Sequence, residues 1–449
     1  MMPTSPPHSF PLLQRLGLGR PELRAWAMYD WANSVFVTTV IAAVFPIYFS
    51  TVAAADLPPP VATARFATAT TVALAVVAVL APFLGALADY AAARKKMLAA
   101  FLGLGVLATA CMVFIQRGDW ELACGLFILG NIGASGSFIF YDSLLPHIAS
   151  DAEMDRVSTA GYALGYLGGG LLLALNLAWI QQPGFFGIAD TAAAARLSFL
   201  SVAVWWLGFS LPLFRYVAEP PRRLEADERR DTPLLRAVLA QLSETVGELR
   251  AYKQAVLLLV AFLLYNDGIG TIIRMATAYG TEIGIPQGAL ITAILLVQFI
   301  GLPCSFLFGS LAGQIGAKRA ILLSLLVYIA ISIIGYFMTT AWHFYCLAIL
   351  VGMVQGGSQA LSRSLFASLI PRYQSSEFFA FFAICEKFAG IFGPAIFVGM
   401  IMATGSSRNA ILAVLLFFIA GGMLLALVDV AEGQRMARAA EAQAPVVSA

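Results

Sequence analysis

Asp267 is the first residue in this sequence whose chemistry needs an explanation. It lies inside an apolar segment that runs from about residue 255 to 279, long enough to cross a bilayer. At 1.5 Å per residue it sits roughly 18 Å into that helix, where an ionised carboxylate costs about 2.5–3.5 kcal/mol. Arg274 follows at i+7, and Gly268 and Gly270 weaken the helix between them. The segment predicts a proton or substrate site inside a membrane protein.

Other polar residues in apolar segments fall into two groups according to their depth. Those near the midplane, where transporters bind substrate, predict a substrate or proton pathway. They are Asp267, Asn131, Gln355 and Gln359, and the further pathway candidates are Asn33, Asn266 and the adjacent pair Glu386 and Lys387. Asp30, Asp142 and Arg363 lie near the cytoplasmic ends instead. We predict that Arg363 pairs with Asp30 or Asp142 and closes the cytoplasmic side in an outward-facing state.

Each of these interpretations has a plainer alternative. Asp30 and Asp142 can be solvated at the membrane surface, and Asp267 can be a static partner of Arg274 or Lys387. The Gln and Ser side chains along the tenth segment can form hydrogen bonds between helices, each of which stabilises the bundle by about 0.6 kcal/mol. Because Arg274 falls near the outer end of its segment, we interpret it as an external gate.

The elements that must position these residues are transmembrane helices. The chain is 60% hydrophobic and only 12% charged, whereas soluble proteins have about 25% charged residues. This composition predicts an all-α integral membrane protein. Twelve apolar segments of spanning length occur, near residues 26–50, 66–88, 97–115, 121–142, 158–180, 196–216, 255–279, 290–311, 319–338, 342–364, 378–402 and 408–430.

The distribution of positive charge predicts the orientation. With the N-terminus inside, 20 of the 27 Lys and Arg residues are cytoplasmic, four are external and three lie within spans. Because cytoplasmic loops carry the excess of positive charge, both termini are predicted to be cytoplasmic. The organisation is then an N-terminal segment 1–25, a six-helix half 26–216, a linker 217–254, a second half 255–430 and a tail 431–449. Apolar residues at helical spacing from Thr232 to Leu249 predict an amphipathic helix in the linker.

The two halves repeat each other in sequence. One set of residues recurs at an offset of 224, in the loops after the second and eighth segments: Gly85, Arg94 and Lys95 match Gly309, Lys318 and Arg319. A second set recurs at an offset of 225: Pro146, Gly165 and Gly168 match Pro371, Gly390 and Gly393. We therefore predict two pseudo-symmetric six-helix halves related by a parallel repeat.

Several motifs resemble those of a known family. The loop from Gly85 to Asp89, followed by Arg94, Lys95 and Lys96, resembles the loop signature of the major facilitator superfamily, with Ala92 where Gly is usual. Four further runs resemble sequences of the vacuole effluxer family. They lie at residues 29–34, 265–268, 357–364 and 378–394. Glu386 departs from the small residue usual there. The resemblance implies a rocker-type transporter, with amino acids as a candidate cargo.

The same resemblance implies a role for the loop itself. Asp89 is implied to hold the cytoplasmic side closed against the eleventh helix, with Arg94 and Lys95 nearby. A carboxylate at a helix N-terminus interacts favourably with the helix dipole, which is compatible with this role. These three residues are gating candidates rather than substrate ligands.

Taken together, the sequence predicts a secondary transporter that moves a small solute by alternating access, with proton coupling at Asp267 as one option. It predicts no enzyme, no cofactor and no metal, because His8, His147 and His343 are scattered and a Gly-rich phosphate-binding loop is missing from the sequence. The sequence has no clustered basic face of the kind that binds nucleic acid. The expected partners are a small-molecule substrate, the bilayer and protons, and the expected form is a monomer in the inner or plasma membrane. The alternatives are a non-transporting receptor or scaffold, or an exporter of drug-like or lipid-like compounds.

Overall fold

The computed structural model describes residues 11–221, 252–282, 285, 287–388, 396, 400, 403 and 407–443. Within these ranges the regular elements are helical, which confirms the predicted all-α class. The predicted amphipathic helix of the linker lies outside the described residues. Ten described helices are long and apolar enough to cross a membrane, and a bent pair near the C-terminus makes an eleventh.

The helices of the first half follow the first six predicted spans, with longer ends. We number them α1 to α6: Pro21–Ala53, Pro59–Tyr90, Arg94–Cys111, Trp120–Ile148, Met154–Gln181 and Thr191–Tyr216. The second half contains α7 to α12: Lys253–Glu282, Gln287–Ile315, Ala317–Tyr336, Ala341–Ser368, Ser375–Phe388 and Ser407–Leu427. The helices extend beyond the apolar runs because their ends reach the polar interface, where charged side chains are tolerated.

Helix α1 is not regular along its length. Pro21 opens it at a position where a missing N–H costs nothing, and an α-helical part runs to Val35. Two π-helical segments follow, Phe36–Ala43 and Phe49–Ala53, separated by the α-helical turn Val44–Tyr48. The inner part of α1, which carries Asp30, is therefore separated from its outer part by a change of helical pitch.

The two halves pack their helices in the same pattern. In the first half α1 packs on α6, α2 and α3 on α4, and α3 on α6. In the second half the corresponding pairs are α7 with α12, α8 and α9 with α10, and α9 with α12. The halves meet along α5 with α8 and along α2 with α11, which are equivalent pairs under the repeat.

Apolar side chains on the outside of the bundle identify the lipid-facing surface. Leu107, Val204, Leu307, Leu326 and Leu416 are 62–67% exposed although they lie within long apolar helices. In water such exposure would be unfavourable, whereas in a bilayer lipid tails cover it. The interior is packed with aromatic rings; Phe45, for example, stacks on Phe127 at 4.8 Å between ring centroids.

Both described ends of the chain lie at one face of the bundle, which we call the terminal face. Gly17 packs on the backbone of Arg156 at the start of α5, where an added Cβ would come within 2.7 Å. A final helix, α13, spans Val430–Gln443 after a 60° bend and contacts the turn between α4 and α5 through Arg438 and Asp151. The sequence predicted only a tail there. Asp429 with Glu432 three residues later was the helix-start signal, and the Glu432 amide donates to Asp429 Oδ1 at 3.0 Å.

Candidate functional site

The guanidinium of Arg363 joins the two halves near the terminal face. Its Nη2 lies 3.1 Å from Asp30 Oδ2 of α1, and its Nη1 lies 3.0 Å from Asp142 Oδ1 of α4. The side chains of Arg363, Asp30 and Asp142 are only 2%, 7% and 11% exposed. The sequence predicted a pair with either aspartate, and the structure forms both. We call these three residues the charged cluster.

The charged cluster is enclosed by hydrogen bonds and aromatic rings. Arg363 Nε donates to Ser158 Oγ at 2.9 Å, and Nη2 donates to the Ser158 carbonyl at 2.9 Å. The guanidinium carbon lies 4.7 Å from the ring centroid of Trp26 and 4.6 Å from that of Tyr162. Tyr141 donates its hydroxyl to Asp30 Oδ2 at 2.9 Å. Because the ions are buried, removing one of them would cost about 3–5 kcal/mol.

Small residues of α5 allow this close approach. A Cβ on Gly161 would clash with Asp30 Oδ2 and lie 3.1 Å from Arg363 Nη2. Ser158, one turn earlier, also donates its hydroxyl to the Ala360 carbonyl of α10 at 2.7 Å. Helix α5 of the first half is thereby fixed against α10 of the second, directly beside the charged cluster.

Sequence reasoning missed the aromatic and hydroxyl partners of Arg363. Tyr141 directly precedes Asp142 and so faces another direction, whereas Trp26 precedes Asp30 by four residues, a spacing that places two side chains on one helical face. An aromatic residue at such a spacing was the available signal. Ser158 and Tyr162 on α5 had none, because their contacts depend on how the halves pack.

A second contact between the halves forms at the start of α11. Asp89 pairs with Arg94 at 2.6 Å, and both side chains are 1% exposed. The Asp89 carboxylate accepts the amides of Ser376 at 3.3 Å and Glu377 at 3.0 Å, and so caps the N-terminus of α11. Arg94 donates to Ser376 Oγ and to the Tyr373 carbonyl. We call this contact the carboxylate cap.

Lys95, the third gating candidate in this loop, makes different contacts. Its Nζ donates to the carbonyls of Phe214 at 3.0 Å and Val217 at 2.5 Å, at the C-terminal end of α6. Both partners belong to the same half as Lys95. Its described contacts therefore hold α6, because a cation at a helix C-terminus satisfies carbonyls that have no intrahelical partner.

The pathway candidates on α7 and α10 lie near one another in part. Asn266 of α7 and Gln359 of α10 come together, with Gln359 Nε2 donating to Asn266 Oδ1 at 3.4 Å. Asp267 is fully buried, and its backbone carbonyl accepts the Thr271 hydroxyl at 2.7 Å. Gln355 is half-buried, one turn before Gln359.

Asn33 of α1 and Asn131 of α4, two of the predicted pathway residues, form hydrogen bonds within the first half. Asn33 is fully buried and donates to Ser137 Oγ of α4 at 3.3 Å, inside the first half. Thr38 hydrogen-bonds the Gly169 carbonyl of α5. Asn131 Nδ2 donates to the Phe127 carbonyl of its own helix at 2.9 Å. Because α1 is packed by α4, α5 and α6, residues 3 and 4 apart face different neighbours rather than one open space.

Three remaining candidates are only partly described. Glu386 on α11 is half-buried and lies near enough to interact electrostatically with Asp30 and Asp142. The side chains of Arg274 and Lys387 lie outside the described part of the structure. The roles predicted for them stay predictions.

The turn between α4 and α5 gathers further charges at the terminal face. Arg20 donates to Glu153 Oε2 at 3.0 Å and to the Ile148 carbonyl at 2.7 Å. Partial burial acts to raise the pKa of the Glu153 carboxyl, but the hydrogen bonds from Ser150 and the charge of Arg20 outweigh it and lower that pKa. This turn is thus fixed from the N-terminal side by Arg20.

Comparison with known proteins identifies what the chain resembles. A family described as "Vacuole effluxer Atg22 like" matches residues 57–438. The chain is 34% identical over 406 residues to YxiO of Bacillus subtilis strain 168, described as an uncharacterized MFS-type transporter, which covers 90% of this chain and 94% of that protein. It is 24% identical to autophagy-related protein 22-1 of Phaeosphaeria nodorum, over 78% of this chain and 73% of that protein.

Solved structures show the same fold. The proton:xylose symporter XylE aligns with a TM-score of 0.67 at 13% identity, covering 91% of this chain and 95% of that one. The transporter FucP in its outward conformation aligns with a TM-score of 0.66 at 13% identity, covering 91% and 100%. At this identity the likeness concerns the fold alone. The family match and the shared helix arrangement show that the chain belongs to the Atg22-like vacuole effluxer family. It is a multi-pass membrane transporter of the major facilitator superfamily and not an enzyme.

Proposed function

We propose that the protein moves a small polar solute, with amino acids as the candidate cargo, by alternating access of its two halves. The observation that carries this proposal is the charged cluster. One guanidinium from the second half contacts two carboxylates from the first half, and all three side chains are buried. Such a contact is stable only while the halves are together, since separating them returns the ions to water.

The proposal assigns the terminal face to the cytoplasm, following the excess of Lys and Arg there. The charged cluster and the carboxylate cap both join the halves at this face, which supports an arrangement closed toward the cytoplasm. FucP and a bacterial homologue of the iron transporter ferroportin, both similar in fold, have structures in outward-facing states. Opening would require the cluster and the cap to separate together.

Arg363→Ala tests the gate. Because two buried carboxylates lose their shared partner, we expect the terminal face to open and substrate exchange in proteoliposomes to fall at least tenfold. The matched control is Arg319→Ala, an exposed arginine at the same face. Exchange should return in part when Arg363→Asp is combined with Asp142→Arg. Full exchange by Arg363→Ala would contradict the proposal.

The same vesicles test the finer proposal that Asp267 carries a coupling proton. Asp267→Asn should abolish accumulation driven by a pH gradient and leave counterflow exchange intact, because exchange needs no net proton movement. Retention of gradient-driven accumulation would rule out Asp267 as the proton site and leave the gate unaffected.

A further inference from the structure

The last helix of the chain, α13, begins on the second half. The Asp429 amide donates to Gln254 Oε1 at 2.8 Å, and Gln254 Nε2 donates to Glu432 Oε2 at 2.6 Å. Gln254 belongs to the start of α7. The N-terminal end of α13 is therefore fixed to its own half by a pair of side-chain hydrogen bonds with one glutamine.

The middle of α13 lies on the end of α10. A Cβ on Gly433 would lie 2.6 Å from Leu369 Cδ2, so the helix approaches the end of α10 closely here and a larger residue would displace that leucine side chain. Gln434 Nε2 donates to Ser368 Oγ at 3.2 Å. These contacts direct the rest of α13 across the boundary between the halves.

The far end of α13 contacts the first half. Arg438 forms an ion pair with Asp151, in the turn between α4 and α5. Arg372, just before α11, contacts the other oxygen of Asp151 at 3.2 Å, and its amide donates to Glu441 Oε1 of α13 at 2.9 Å. Asp151 is the member of this network that belongs to the first half, so its two ion pairs hold the halves together.

The repeat explains why this position matters. At the offset of 225, Asp151 is the equivalent of Ser376 at the start of α11. Ser376 is held by Asp89 and Arg94 from the opposite half. Asp151 occupies the corresponding place in the first half and is held by Arg438 of α13 instead. The two equivalent turns are thus fastened by unrelated segments of the chain.

We propose that α13 is an autoinhibitory strap that holds the terminal face closed. The inference rests on the proposed function in one respect, namely that this face opens during transport. The strap differs from the buried contacts because Arg438 and Asp151 are 60% and 39% exposed. Exposed ion pairs are weak and are screened by salt, so the strap is a contact that the cellular environment can loosen without disturbing the charged cluster.

The test measures the distance between the halves without any substrate. Spin labels are placed at exposed positions near the ends of the equivalent helices α2 and α8, Ala91→Cys and Gln314→Cys, in a full-length chain whose five native cysteines are replaced. With Arg438→Glu we expect the fraction with a separated terminal face to rise about two- to fivefold, or about 0.4–1 kcal/mol at 1.4 kcal/mol per tenfold change. Raising salt to 1 M in the parent chain should also increase the separated fraction, and the increase should be smaller in Arg438→Glu, where, of the described ion pairs of Asp151, only the exposed pair with Arg372 remains to be screened.

The control is Arg435→Glu, an exposed arginine on the same helix, which should leave the distance distribution unchanged. Combining Arg438→Ala with Asp151→Ala should increase the separated fraction no further than Asp151→Ala alone, because both changes remove the same ion pair. If Arg438→Glu and Arg435→Glu give the same distribution, the strap is overturned. If Arg363→Ala separates the halves and Arg438→Glu does not, the strap fails and the gate stands; if neither separates them, both proposals fail.

Discussion

The loop between α2 and α3 and the loop between α8 and α9 occupy equivalent places in the two halves. Each contains a lysine that caps the last helix of its own half: Lys95 binds carbonyls at the end of α6, and Lys318 binds those of Ala426 and Val428 at 2.7 and 2.8 Å. One of the positions at which the loops differ bears on the contact between the halves. Asp89 forms the carboxylate cap, whereas the residue at the offset of 224 is Gly313.

The loop signature therefore contains two contacts with different roles, one made by the lysine and one made by the aspartate. The lysine contact is present in both loops and lies within a half, so it maintains the half. The aspartate contact is present in one loop and lies between the halves, so it maintains the closed arrangement. The second half, lacking this carboxylate, reaches the equivalent turn through α13. Both loops thus carry a basic pair with a lysine that holds the last helix of its half, although Lys318 aligns with Arg94 rather than with Lys95, and this shared pair does not predict the contact between the halves.

The largest test of this comparison is Asp89→Ala. Because the change leaves Arg94 buried without its counter-charge, we expect a loss of about 3–5 kcal/mol in stability, measured as a lowered midpoint of thermal unfolding. Asp89→Asn is the control, since it removes the charge but keeps an acceptor for the α11 amides. An unfolding midpoint for Asp89→Ala equal to the parent's would show that the cap contributes nothing to the folded chain.

A smaller loss of stability is expected when the glycines at the beginning of the two loops are replaced by alanine. A Cβ on Gly85 would lie 2.7 Å from the Ser376 carbonyl oxygen, which is backbone, so Gly85→Ala should cost about 1–3 kcal/mol. A Cβ on Gly309 meets the Thr159 side chain. Thermal unfolding should therefore show that Thr159→Ala rescues Gly309→Ala. Equal losses at both glycines, with no rescue, would contradict the asymmetry.

The smallest effect is expected on restoring the missing carboxylate. A Cβ on Gly313 would lie 3.5 Å from Arg156 Nη2 of the opposite half, at an exposed site, so Gly313→Asp should add up to about 1 kcal/mol. A double-mutant cycle with Arg156→Ala isolates the pair through unfolding midpoints at low and high salt. A gain that survives both 1 M salt and the loss of Arg156 would have another origin.

The sequence predicted the helices, the repeat and the partners of Arg363, because each depends on composition, spacing or depth along one helix. Asp30, Asp142 and Arg363 are costly in an apolar setting, and three such residues at one depth have few partners to choose from. Helix ends were placed too short, since an apolar window stops where a charge begins although the helix continues.

The contacts made by α5 and α13 lay beyond such reasoning. Ser158 and Gly161 are unremarkable in sequence, and their role beside Arg363 follows from how closely two helices of different halves approach. Asn33 shows the converse: a polar side chain in an apolar segment suggested a substrate pathway, whereas the packing of α1 against α4 buries it on Ser137. Depth along a helix can be inferred from sequence, while the direction that a side chain faces depends on every neighbouring helix.

The π-helical segments of α1 have a consequence for how the first helix of each half positions its side chains. In such a segment the Val44 amide reaches back to the Thr39 carbonyl, five residues away, so each turn contains more residues than a turn of α-helix. Its counterpart α7 is a continuous α-helix over Lys253–Glu282. The two helices therefore differ in pitch beyond Val35 of α1, and their side chains turn about the helix axis at different rates. Asp267 lies in the regular helix, whereas the outer part of α1 presents its side chains in a different angular order.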